Sequence, residues 1–208
     1  MTRWRPLTLG DFLRRIAFDY VRFGYYRYAV RIIPEGRDLV KMDEKLRRTY
    51  GVTSCRTTRM RQRKKGRAVV EYLRWHHTFI LLATDGEHEC FSRIRSYDIR
   101  DTPLHLGGYS IGLRGNTVSV EVSRQTLHAV KRSVKRIELT DRDQVEKALA
   151  SIPWFHFPGV VGQKWKILRQ VNQRRKSAGL PDGSLPRPSR THRRFSKSRR
   201  KKIGRDKN

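Results

Sequence analysis

Seven basic residues and no acid fall between positions 56 and 67: Arg56, Arg59, Arg61, Arg63, Lys64, Lys65 and Arg67. A guanidinium forks onto phosphate through two parallel hydrogen bonds, and an ammonium acts as a point charge. Like charges at this density repel one another, whereas a solvated helix face normally mixes signs. The segment is therefore expected to hold a phosphate backbone. It could do so as an arginine-rich element ordered on RNA, or as a short helix in the major groove of DNA. A second set lies on a helix expected at 124–137, where Arg124, His128, Lys131, Arg132, Lys135 and Arg136 surround an apolar stripe. A third is the run near the C-terminus that includes Arg193, Arg194, Arg199 and Arg200. A fourth is one face of a strand, Tyr25, Arg27 and Arg31, which reads either as a stacking platform for bases or as tyrosines packed under the first helix.

Cutting chemistry is harder to assemble. His76 and His77 are adjacent, so on a strand they point to opposite faces and do not form the one-apart pair of metal-binding nucleases. That also weakens Tyr25 or Tyr109 as a nucleophile. Asp85, Glu87, His88 and Glu89 could be drawn as a metal site, but they fall on an expected turn, where Asp serves the backbone. Two-metal phosphoryl chemistry gathers acids from several elements. No phosphate loop, dinucleotide fingerprint, nucleophile elbow or paired Cys-x-x-Cys occurs. Gly107-Gly108 reads as a bulge or close-packing site. The expectation is a non-enzymatic protein with no cofactor and no metal.

The totals point the same way. The 208 residues carry 34 arginines and 14 lysines against 19 acids, a formal net charge of +29. Self-repulsion on that scale opposes compaction and is relieved by a polyanionic partner. Nucleic acid is the expected partner, RNA ahead of DNA because arginine, tyrosine and a basic tail suit wrapping around folded RNA. The expected role is a ribonucleoprotein component. The alternatives are a mobile-element or plasmid replication or transposition nuclease and a sequence-specific DNA-binding regulator. Other proteins of such a complex are further expected partners. No apolar run approaches the ~18 residues of a membrane span. Cys55 and Cys90 make no disulfide framework, which fits a reduced intracellular, cytoplasmic setting, with nucleus or nucleoid left open. The basic N-terminus resembles a transit peptide in charge, but Asp11 and Asp19 argue against one.

These residues need elements to position them. Thr8 is expected to cap a helix to about residue 23, with Leu9, Phe12, Leu13, Ile16, Tyr20 and Phe23 as its stripe. A strand is expected at 25–33. A helix at 38–50 should bury Leu39, Val40, Met42 and Leu46. Thr53 or Ser54 would cap the basic helix, Gly66 would end it, and Met60 and Cys55 are its only apolar anchors. Strands at 69–75 and 78–83 should turn at His76-His77. Thr84-Asp85-Gly86-Glu87 signals a hairpin returning through 89–94. Residues 108–114 and 117–122 form a second hairpin around Gly115-Asn116. Ser123 caps the helix at 124–137, Thr140 with Asp143 caps one to about 150, and a last helix at 160–177 buries Val161, Trp165, Leu168 and Val171. The expected fold is α+β: an antiparallel sheet of two hairpins plus an N-terminal strand, with helices on one face. Residues 1–180 would form a single domain, with 1–24 as its amphipathic N-terminal helix. Residues 181–208, with 11 bases and 2 acids, would form a disordered tail.

Overall fold

The computed structural model describes residues 4–52, 55–89, 91, 94–137 and 141–180. The tail, with Arg193, Arg194, Arg199 and Arg200, lies outside them, as do Thr53, Ser54 and Thr140. The fold is α+β, with six helices and two antiparallel sheets among the described residues.

Helix α1 begins at Leu9, where the Thr8 hydroxyl accepts from the Asp11 N–H. It runs as an α-helix over Leu9–Arg14, a π-helix over Arg15–Tyr20 and a 3₁₀ turn over Val21–Phe23. The wider π turn inserts a residue and slips the buried stripe. Val21 is therefore buried, and Phe23, expected inward, is 63% exposed. Strand β1 (Arg27–Ile32) pairs with β3 (Thr78–Ala83), which pairs with β2 (Val70–Trp75). The short β4 (Tyr97–Asp98) closes the other edge, giving the order β2-β3-β1-β4. The turn at His76-His77 is as expected, with His76 in the left-handed region at φ 51°. A second sheet, β5-β6-β7, spans Leu104–Leu106, Tyr109–Arg114 and Thr117–Val122. Its β6–β7 hairpin pairs Tyr109, Ile111 and Leu113 with Val122, Val120 and Val118, as the alternation predicts.

Two expectations about layering are corrected. The strands form two sheets, and helices cover both faces of the larger one. Phe12, Leu13 and Ile16 of α1 share a core with Leu73, Ile80 and Leu82, and also with Ile111, Val120 and Val122 of the second sheet. On the opposite face, α2 (Leu39–Thr49) packs Leu39, Met42 and Leu46 over Val70, Tyr72, Leu81 and Ala83. Burial on both faces explains why β3 reads as an unbroken apolar run.

Helix α2 is capped by Asp38, which accepts from the Val40 and Lys41 N–H groups. Val40, expected inward, is 56% exposed, and Asp43, not expected there, is buried instead. Asp43 accepts from Arg74 Nε and Nη2 at 2.6 and 2.7 Å and from the Tyr72 hydroxyl at 2.5 Å. The remaining Arg74 nitrogen donates to the His76 carbonyl at 2.6 Å and so ties the turn to the same network.

The Asp85-Gly86 turn does not start a hairpin. Glu87 instead forms an isolated parallel backbone β-bridge with Arg67, and a Cβ on Gly86 would lie 2.5 Å from the Gly66 carbonyl oxygen, so only glycine lets the two segments cross. Part of the return expected over 89–94 lies outside the described residues, and among the described ones the next strand is β4. Helices α4 (Arg124–Arg136), α5 (Arg142–Ala150) and α6 (Pro158–Ser177) make a further core of Val130, Val134, Val145, Leu149, Ile167, Leu168 and Val171. Ser123 caps α4 as expected, whereas Asp141 caps α5. In α6, Val160 and Ile167 are buried, while Val161 and Trp165 are only partly covered. Gln163 of α6 accepts from the Val122 N–H at 2.7 Å and donates to its carbonyl at 3.1 Å, which occupies the β7 edge.

Candidate nucleic-acid interface

The segment expected to carry phosphate is a helix, α3 (Arg56–Lys64), closed by Gly66 at φ 70°. It has almost nothing apolar to dock with. Met60 is 54% exposed and Cys55 is also exposed, so neither is the anchor that composition suggests. Two of its own arginines hold it instead. Arg59 donates to Glu71 of β2 at 2.5 Å, with both side chains largely covered. Four residues on, the Arg63 guanidinium lies 5.4 Å from the centre of the Tyr25 ring. The i, i+4 spacing puts both on one face of the helix, with Arg59 partly covered and Arg63 still exposed beside the ring.

Arg61, Lys64 and Lys65 project from the outward side, together with Thr57 and Thr58, and all five are exposed. Arg67 is exposed just beyond the helix end. None of these four bases makes an ion pair among the described residues. Arg56 opens the helix, and its side chain lies outside the described set. Of the seven expected bases, two are therefore positioning residues and four form an uncompensated cationic surface.

Cys55 occupies the cap position of α3 with its sulfur 3.3 Å from the Thr58 hydroxyl. Hydrogen bonds from the Thr58 hydroxyl and N–H pull its pKa down to about 7.

The strand-face reading resolves against a tyrosine platform. Tyr25 is only 6% exposed and meets Tyr20 of α1 edge-on at 5.4 Å, so it packs under the first helix. Arg27 and Arg31 are exposed as expected. Arg27 stacks on Phe91 at 5.1 Å, and Arg31 donates to the Val30 carbonyl. Pattern reading missed two neighbours, Arg95 over Tyr97 at 5.2 Å and Arg100 over Tyr26 at 4.7 Å. Arg100 is neutralised by Asp85 and Asp98; Arg95 makes no ion pair among the described residues. A guanidinium seated over a ring still has N–H groups to offer, which suits phosphate or a base. The only sequence trace of this array is the spacing Arg95-Ser96-Tyr97.

The charges of α4 divide between two recesses. Lys131 and Lys135 line a groove of about 580 Å³ shared with Gln170, Gln173 and Arg174 of α6. Arg124, His128 and Arg132 line a different recess beside the β5–β6 turn.

At the histidine pair, His76 is exposed, while His77 Nδ1 lies 3.2 Å from the Ile33 carbonyl oxygen. Among the described residues no group of three His, Cys, Asp or Glu side chains could hold a metal ion, and no helix is long and apolar enough to cross a membrane. No family model matches the chain, and no curated protein matches it.

Proposed function

We propose that this chain is a non-enzymatic nucleic-acid-binding protein, RNA favoured over DNA, that grips phosphate backbone through α3 as part of a ribonucleoprotein. The observation that carries this reading is the division of labour within α3. Arg59 and Arg63 hold the helix against Glu71 and Tyr25, and Arg61, Lys64, Lys65 and Arg67 are exposed with no ion-pair partner among the described residues. A helix that needed only solubility would mix signs on its outer face. The preference for RNA rests on the excess of arginine over lysine and on arginines stacked on aromatic rings near β1 and β4, which favour irregular, partly unstacked strands.

The test is binding of an RNA hairpin and a DNA duplex of matched sequence across a salt series. If about 6–10 phosphates are neutralised, affinity falls roughly 10³–10⁵-fold between 50 and 200 mM salt. Combined Arg61→Ala, Lys64→Ala and Lys65→Ala should flatten the log–log slope by roughly 2–3. A flat salt response in the parent protein sinks the reading; an unchanged slope in the variant moves the interface elsewhere.

A further inference from the structure

The recess beside α4 has a different character from the α3 surface. It is an open depression of about 820 Å³ between α4 and the β5–β6 turn. His105 of β5 lines one side, and Arg124, His128 and Arg132 of α4 line the other. The α4 residues are spaced i, i+4, i+8, a single stripe about 12 Å long at 1.5 Å per residue. All four side chains are exposed, and none has a hydrogen-bond or ion-pair partner among the described residues. No carboxylate lines the recess among those residues. Gly107 and Gly108 form the turn at its rim and offer backbone without side chains. Ser123 is already engaged, accepting from the Thr126 N–H and bonded to the Thr126 hydroxyl.

A continuous phosphodiester strand carries one negative charge per phosphate and needs an open track. A terminal phosphate monoester carries about −1.5 to −2 near pH 7 and enters end-on. Two arginine forks and two imidazoles around one recess match the second ligand better than the first. The volume lies within the roughly 300–1,000 Å³ of small-ligand sites. We propose that this recess binds a phosphate monoester, held by Arg124 and Arg132 with His105 and His128 beside it. The source is either the phosphorylated end of a nucleic-acid strand or a free nucleotide. Only the strand-end source rests on the nucleic-acid reading above.

The full chain is tested with a short single-stranded RNA carrying either a 5′-phosphate or a 5′-hydroxyl, labelled at the other end, and separately with AMP against adenosine. The expected result is about tenfold tighter binding of the phosphorylated RNA, or binding of AMP without binding of adenosine. Either preference should disappear in Arg124→Gln/Arg132→Gln and persist in Lys147→Gln, an exposed change on α5. Thermal melting of the double variant should match the parent, since both arginines are exposed. Binding of AMP with no binding of either RNA supports the recess and refutes the nucleic-acid reading. Equal binding of both RNAs with no binding of AMP overturns the recess and leaves α3 standing. A preference that survives Arg124→Gln/Arg132→Gln also overturns it, because the phosphate is then held elsewhere.

Discussion

Arg74 and Asp43 show how a charged side chain can belong to the core. Each is about 1% exposed, and the guanidinium and carboxylate meet face to face with the Tyr72 hydroxyl completing the site. The hydrogen bonds to Asp43 raise the Arg74 pKa against the opposing effect of burial. Removing one partner strands the other charge in the interior, so Asp43→Ala should cost about 3–5 kcal/mol. Tyr72→Phe removes one hydrogen bond to a charged group and should cost about 1.5–3 kcal/mol. Urea unfolding measures both, and an Asp43→Ala loss below that of Tyr72→Phe would contradict the geometry. Cys55 offers a second residue-level test. Its folded pKa lies below that of an ordinary thiol, at about 7, so the reactive thiolate grows in as pH rises through about 7. Alkylation rates should therefore show a midpoint there, and Thr58→Val should move it upward. A polyanion bound on α3 disfavours the thiolate and should also move the midpoint upward, whereas an unmoved midpoint at saturating RNA would place the ligand away from α3.

At the scale of elements, α3 is unusual because electrostatic and stacking contacts hold it where other helices use apolar side chains. Arg59→Ala with Arg63→Ala should release the helix from Glu71 and Tyr25. Hydrogen exchange should then rise over residues 56–64 while β2 and β3 stay protected. Arg61→Ala with Lys64→Ala should leave exchange unchanged and weaken binding. Reversal of those two outcomes would exchange the roles assigned to the two sides. Most elements are legible from pattern. The β6–β7 hairpin follows from strict alternation around Gly115-Asn116, and α4 follows from Ser123 and the stripe Leu127, Val130, Val134. The failures have physical causes. Position 43 follows the inward spacing of α2, but an Asp there is unreadable until Arg74 and Tyr72 are brought to it. Phe23 leaves the stripe because a π turn changes the period. Asp85-Gly86 carries the local signature of a hairpin, yet a tertiary crossing against Gly66 uses the glycine.

For the whole molecule, the net charge of +29 sets two opposite responses to salt. The free protein should melt at a higher temperature as salt screens its self-repulsion, over the same range in which binding to nucleic acid weakens. A melting temperature that falls with added sodium chloride would mean that specific ion pairs outweigh the bulk repulsion. Composition and local order alone determined the α+β class, most helices and hairpins, and where the positive charge lies along the chain. Those properties depend on periodicity, turn residues and totals, which neighbours in the chain carry themselves. Only the tertiary structure decided that the strands form two sheets with α1 between them. It also separated Arg59 and Arg63, which hold α3, from Arg61, Lys64 and Lys65, which project from it, and split α4 between two recesses. Those distinctions arise where segments distant in the chain meet. An arginine becomes an anchor or a free cation according to whether a Glu71 or a Tyr25 stands opposite it.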